Sequence, residues 1–99
     1  MAVVFISEYD VMPVLDGRSI PTGAEPAIAE HTVAITGASV NSNVFGASTK
    51  FIRVHTDAIC SYKFGVAPTA TATTPRLAAN STEFFGVKAG HRVAIITNV

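Results

Sequence analysis

The chain has 99 residues, enough for one core and too few for two cores joined by a linker. Seven basic side chains balance seven acidic ones, and charged residues make up 14% of the chain against roughly 25% in typical soluble domains, so no net field steers it to a polyanion. Val and Ile together number 20 while Leu numbers 2, and Thr adds 11; branching at Cβ suits a pleated sheet and costs freedom in a helix, so the composition favours strands.

In chain order, Ala2-Val3-Val4-Phe5-Ile6 is continuously apolar and then alternates through Ser7, Glu8 and Tyr9, which reads as a strand buried on both faces at its start, or as an arm or edge strand. From Met12 to Pro26 the chain holds Pro13, Pro21 and Pro26 with Gly17 and Gly23, which predicts loop with at most one short edge strand around Arg18 to Ile20. Residues 28–36 set Ala29, His31, Val33 and Ile35 against Glu30, Thr32, Ala34 and Thr36, a second strand. Two Gly-Ala-Ser triplets, at Gly37 and Gly46, are too short to count as an internal repeat.

Residues 51–56 and 59–64 read as strands joined at Asp57-Ala58 in a tight hairpin, with Ile52 and Val54 on one face and Cys60, Tyr62 and Phe64 on one face of the partner. Val66 to Asn80 is the longest predicted loop, rich in Ala, Thr and Pro. Residues 83–87 and 92–96 read as a closing hairpin that turns through Lys88-Ala89-Gly90-His91, with Gly90 placed to supply a positive φ. No window carries apolar residues at helical spacing behind a cap, so helix should fall under about a tenth of the chain. Six to eight antiparallel strands of this kind indicate an all-β fold, a single small β-sandwich or jelly-roll-like domain.

The chemistry of sites is sparse. His31, His55 and His91 lie on separate predicted elements, without the close spacing of compact metal motifs, and no metal site or cofactor is read from them. His55 and Asp57 could meet at a hairpin end, but no Gly-x-Ser-x-Gly elbow supplies a nucleophile, and Asp57 suits a turn. Cys60 stands alone, so an intrachain disulfide is excluded, and mid-strand it reads as an inert core thiol. Glu8 and Asp10 share a strand face and could converge on one sugar or ion, or simply mark a polar strand end. Lys50, Arg53 and Lys63 are the only clustered bases and suit a solvated strand pair, so nucleic acid is not expected as a partner. Asn80-Ser81-Thr82 matches a glycosylation acceptor, which has meaning only in a secreted chain. The first basic residue is Arg18, and the apolar opening is far too short to span a bilayer, so neither a signal peptide nor a membrane anchor is read. The six phenylalanines are assigned most simply to the core, except that adjacent Phe84 and Phe85 must point to opposite faces.

The second half, from about Thr49 to Thr97, resembles small proteins of tailed phages encoded near capsid genes. The parts that carry the likeness are Phe51-Ile52-Arg53-Val54, Ile59-Cys60, Phe64-Gly65, Pro68-Thr69-Ala70-Thr71, and Phe84-Phe85-Gly86-Val87-Lys88-Ala89-Gly90 with Val93-Ala94-Ile95-Ile96. The resemblance implies a non-enzymatic virion protein that decorates and staples the capsid lattice, made in the host cytoplasm and carried on the capsid surface. Its partners would be the major capsid protein and further copies of itself, as a dimer or trimer. A tail-fibre module for a glycan or receptor, and a small cupin-type metal protein, are the competing readings.

The low charge fits a surface partly removed from water by oligomerisation or docking, although Thr, Ser and Asn can carry surface polarity instead. The expected contact residues are Ala2, Val3, Val4, Phe5 and Ile6, as an exchanging arm or edge strand, and Pro68, Thr69, Thr71 and Pro75 in the long loop.

Overall fold

Alternation of branched and polar side chains resolves into ten strands in the computed structural model, which describes residues 2–19 and 22–98. They are β1 (Val3–Tyr9), β2 (Val14–Leu15), β3 (Arg18–Ser19), β4 (Ala29–Ala34), β5 (Val40–Asn41), β6 (Phe51–Thr56), β7 (Cys60–Gly65), β8 (Arg76–Leu77), β9 (Thr82–Gly86) and β10 (Arg92–Thr97), with no helix among the described residues. Eight of them form two four-stranded antiparallel sheets, sheet I in the order β4-β1-β6-β9 and sheet II in the order β5-β10-β7-β8; among the described residues β2 and β3 pair only with each other. The fold is the all-β sandwich that the composition indicates.

The connectivity is that of a folded ribbon. The pairs β7·β8, β6·β9 and β5·β10 nest inside one another and fall alternately in sheets II, I and II. The next rung, in sheet I, pairs β4 with β1, so the first strand takes the place that a strand after β10 would fill. This is jelly-roll wrapping. Inside, Val4 and Ile6 of β1, Val33 of β4, and Ile52 and Val54 of β6 face Cys60 of β7 and Val93 and Ile95 of β10, with Phe45 from the β5–β6 connection closing one side. Phe85 crosses from sheet I to meet Tyr62 and Phe64, with ring centroids 5.1 and 5.2 Å away.

Three expectations are corrected here. The opening strand is neither arm nor edge: β1 is hydrogen-bonded along both sides, to β4 and to β6, because its alternate residues Val4 and Ile6 are needed in the core. Nor is it buried on both faces, since Phe5 points outward and is 45% exposed. Third, β6–β7 and β9–β10 are not hairpins, because each pair bridges the two sheets. A two-residue hairpin wants residues that accept positive φ at both turn positions, and Asp57-Ala58 lacks a glycine. Instead the Thr56 hydroxyl donates to the Ala58 carbonyl at 2.6 Å, and Asp57 N–H donates to the Val3 carbonyl at 3.2 Å, turning the chain out of sheet I. Gly90 does adopt the expected left-handed conformation, with φ 82°.

Candidate docking surface

The part of the chain least like a sandwich is the excursion from Val11 to Ile28, between β1 and β4. At its tip, Val14-Leu15-Asp16-Gly17-Arg18-Ser19 makes a two-residue hairpin in which Asp16 (φ 52°) and Gly17 (φ 76°) are both left-handed, the requirement of the turn whose twist matches two antiparallel strands. Asp-Gly is the sequence signal for that turn, and reading this stretch as loop with a single edge strand passes over it. Ile20, the end of that expected strand, lies outside the described residues.

Side chains brace the base of the excursion. Tyr9 O–H donates to Glu25 Oε2 at 2.6 Å, Glu25 Oε1 accepts the Ala27 N–H at 3.1 Å, and Ala24 N–H closes onto the Val11 carbonyl at 3.1 Å. Gly23 lies so tightly on the Tyr9 ring that a Cβ there would collide with it, and the ring also stacks on Phe51 with centroids 5.4 Å apart. Burial, and then the Glu25 carboxylate, raise the Tyr9 phenol above its ordinary value.

Glu8, one residue earlier, points the other way, into the sandwich, and is 3% exposed. Its Oε1 accepts from Thr49 Oγ1 at 2.6 Å and from Gly46 N–H at 3.0 Å, and its Oε2 lies 3.0 Å from His31 Nε2. A buried carboxylate is tolerable only with such partners. His31 Nδ1, buried too, has no partner among the described residues. Glu8 therefore ties β1, β4 and the 46–49 loop together, and its carbonyl takes the Ile28 N–H at 2.9 Å as the excursion returns.

Four large apolar side chains of the braced segment stand in water. Val14 is 66% exposed, Val11 55%, Ile28 47% and Met12 45%. Beside it an open cavity of about 280 Å³ is lined by Met12, Thr22, Phe51, Phe84, Phe85 and Gly86. The outer face of sheet I continues the surface, for the β1–β6–β9 register sets Phe5, His55 and Thr82 in one row and Ser7, Arg53 and Phe84 in the next. Phe84 is indeed the member of the Phe84-Phe85 pair that leaves the core.

The residues expected to bind partners fare differently. Of Ala2 to Ile6, Val4 and Ile6 are sealed in the core, and only Phe5 offers a large side chain to the outside. The long loop folds back on sheet II. Pro68 and Ala70 are buried, Ser39 Oγ accepts the Ala70 N–H at 2.9 Å, and Asn98 Nδ2 donates to Ser61 Oγ and to the Ala72 carbonyl at 2.6 and 3.2 Å. Thr69, Thr71 and Pro75 remain exposed.

The titratable groups do not converge. Asp10 is exposed at the strand end while Glu8 is buried, so the two do not share a site. His55 Nδ1 lies 2.9 Å from Thr82 Oγ1. No group of three or more His, Cys, Asp or Glu side chains arranged to hold a metal occurs among the described residues. Cys60 is fully buried, 3.6 Å from Thr56 Oγ1, and burial pushes its thiol up. Arg53 projects from sheet I and Lys63 from sheet II, on opposite sides of the molecule, so these bases form no common patch. Comparison with family models, with curated proteins and with solved structures finds no match.

Proposed function

We propose that this chain is a non-catalytic structural protein of a tailed-phage particle, which decorates the capsid lattice by docking its 11–28 excursion onto the major capsid protein. The observation that carries the reading is the pairing of exposed apolar side chains with a braced base: Val11, Met12, Val14 and Ile28 stay in water on a segment held at its base by Tyr9, Gly23, Glu25 and Glu8. Ordering a flexible loop on binding costs free energy that a braced hairpin has already lost in folding. Full burial of a Val, Ile or Met side chain is worth about 1.5–3 kcal/mol, and these four retain roughly half of that to gain on contact. The low charge of the chain and its second-half likeness to capsid-associated phage proteins support the same role.

Co-sedimentation of the purified protein with expanded capsids of its own source tests this. Saturable binding at a fixed ratio to the capsid subunit is the expected result. Absence of binding, together with saturable binding to a glycan or host receptor, would transfer the reading to a tail-fibre module.

A further inference from the structure

Every open sheet has edges, and three of the four here are guarded. Strands β5 and β8 are two residues long, and β4 sets Glu30 and Thr32 on its exposed face. The fourth, β9, is longer than β5 or β8, ends sheet I, and has no strand on its outer side among the described residues. Long exposed edges invite pairing with another chain.

The direction of its free groups is fixed by its inner bonds. Thr56 N–H donates to the Ser81 carbonyl at 3.1 Å and Val87 N–H to the Lys50 carbonyl at 3.0 Å, so the odd-numbered residues of this stretch bond to β6. Alternation then turns the N–H and C=O of Thr82, Phe84 and Gly86 outward. On the outer face the same strand bears a knob and a hole two positions apart. Phe84 is 43% exposed, and Gly86 helps to line the 280 Å³ cavity, with no atom within 4 Å of where its Cβ would stand.

We infer that β9 pairs antiparallel with β9 of a second copy about a two-fold axis at Phe85, joining two sheets I into one continuous sheet. With Phe84 opposite Gly86 of the other copy, both residues present outward-facing backbone groups, so they form a hydrogen-bonded pair, and the dyad repeats it. Each Phe84 ring then lies over the partner's Gly86, beside that copy's cavity. A cross-strand aromatic covering an edge glycine is a known way to stabilise a sheet. The neighbouring register, Phe84 opposite Phe84, stacks knob on knob and leaves both holes empty. Charge agrees with the first register, because Glu83 precedes the knob and Lys88 follows the hole, so an antiparallel copy brings each acid toward the other's base. An isologous contact of this kind closes on itself as a dimer and leaves no growing edge at β9. The pairing does not depend on what the protein decorates; Met12 and Thr22 line the cavity beside the partner's Phe84, while Val11, Val14 and Ile28 stand outside that lining.

Sedimentation equilibrium of the full chain over a concentration series tests it. A dimer is expected for the native protein. Gly86→Val puts its Cβ in open space and fills the hole, so it should yield a folded monomer whose melting temperature, unlike that of the native dimer, does not rise with protein concentration. Glu83→Lys should weaken the dimer, and Glu83→Lys with Lys88→Glu should restore it, which decides the matter if Gly86→Val does not fold. A native protein that stays monomeric throughout, or a dimer indifferent to both Gly86→Val and Glu83→Lys, would overturn the inference.

Discussion

Two long excursions leave the sandwich, and they treat their side chains in opposite ways. Apart from Val66 at its start, which is 68% exposed, the segment 66–75 is built of small residues and prolines, and it lies against the outer face of sheet II, where Ala94 and Ser61 are fully buried despite pointing away from the core. The segment 11–28 is also rich in Pro and Gly, yet it holds Val11, Met12, Val14 and Ile28 out in water. Length and turn composition make both look like contact loops. What separates them is the size of most of the side chains and the means of attachment: the first is a cover whose backbone is tied to Ser39 and Asn98, the second a hairpin braced at its base.

That contrast can be broken at several points. The largest effect is expected for Glu8→Ala, which strands Thr49 Oγ1, Gly46 N–H and His31 Nε2 inside the sandwich; it should cost about 3–5 kcal/mol in a denaturant melt. Gly23→Ala drives a methyl into the Tyr9 ring and should cost about 1–3 kcal/mol. Limited proteolysis of that variant should cut within 11–28 and spare 66–75. Ser39→Ala removes the partner of the Ala70 N–H; a loss of about 1 kcal/mol is expected, with faster amide exchange confined to the 66–75 cover.

Alkaline pH gives the smallest effect. Burial holds the protons of Tyr9, Tyr62 and Cys60 more tightly in the folded chain, helped at Tyr9 by Glu25 and at Tyr62 by Glu83. Raised values mean a contribution complete below the ordinary thiol and phenol range and lost as pH climbs through it, so the melting temperature should fall above about pH 9. Tyr9→Phe should flatten part of that fall.

The fold class was legible because β-branched residues and period-two alternation are local signals: Ile52-Val54 and Val33 point inward as their spacing predicts. Sheet membership was not. Asp57-Ala58 and the Lys88–His91 turn look like hairpin ends, but whether consecutive strands pair or face each other across a core depends on the whole wrap. The position of β1 illustrates the same point, since an apolar opening run reads equally as an arm and as a central strand. Glu8 reads from the sequence as part of a polar strand end or as a partner of Asp10, because nothing local announces that Thr49 and His31 converge on it from distant segments. The docking hairpin was half legible: Asp16-Gly17 specifies the turn, while the exposure of Val14 and Met12 follows from how Tyr9 and Gly23 set the base.

The most direct test of the docking claim is to compare Val14→Asp with Thr71→Asp in capsid co-sedimentation, after confirming that each melts within about 0.5 kcal/mol of the native protein, as exposed positions should. Docking through the 11–28 excursion predicts that Val14→Asp abolishes binding and Thr71→Asp leaves it intact. Binding that survives Val14→Asp and is lost with Thr71→Asp would contradict the assignment and place the contact on the 66–75 cover.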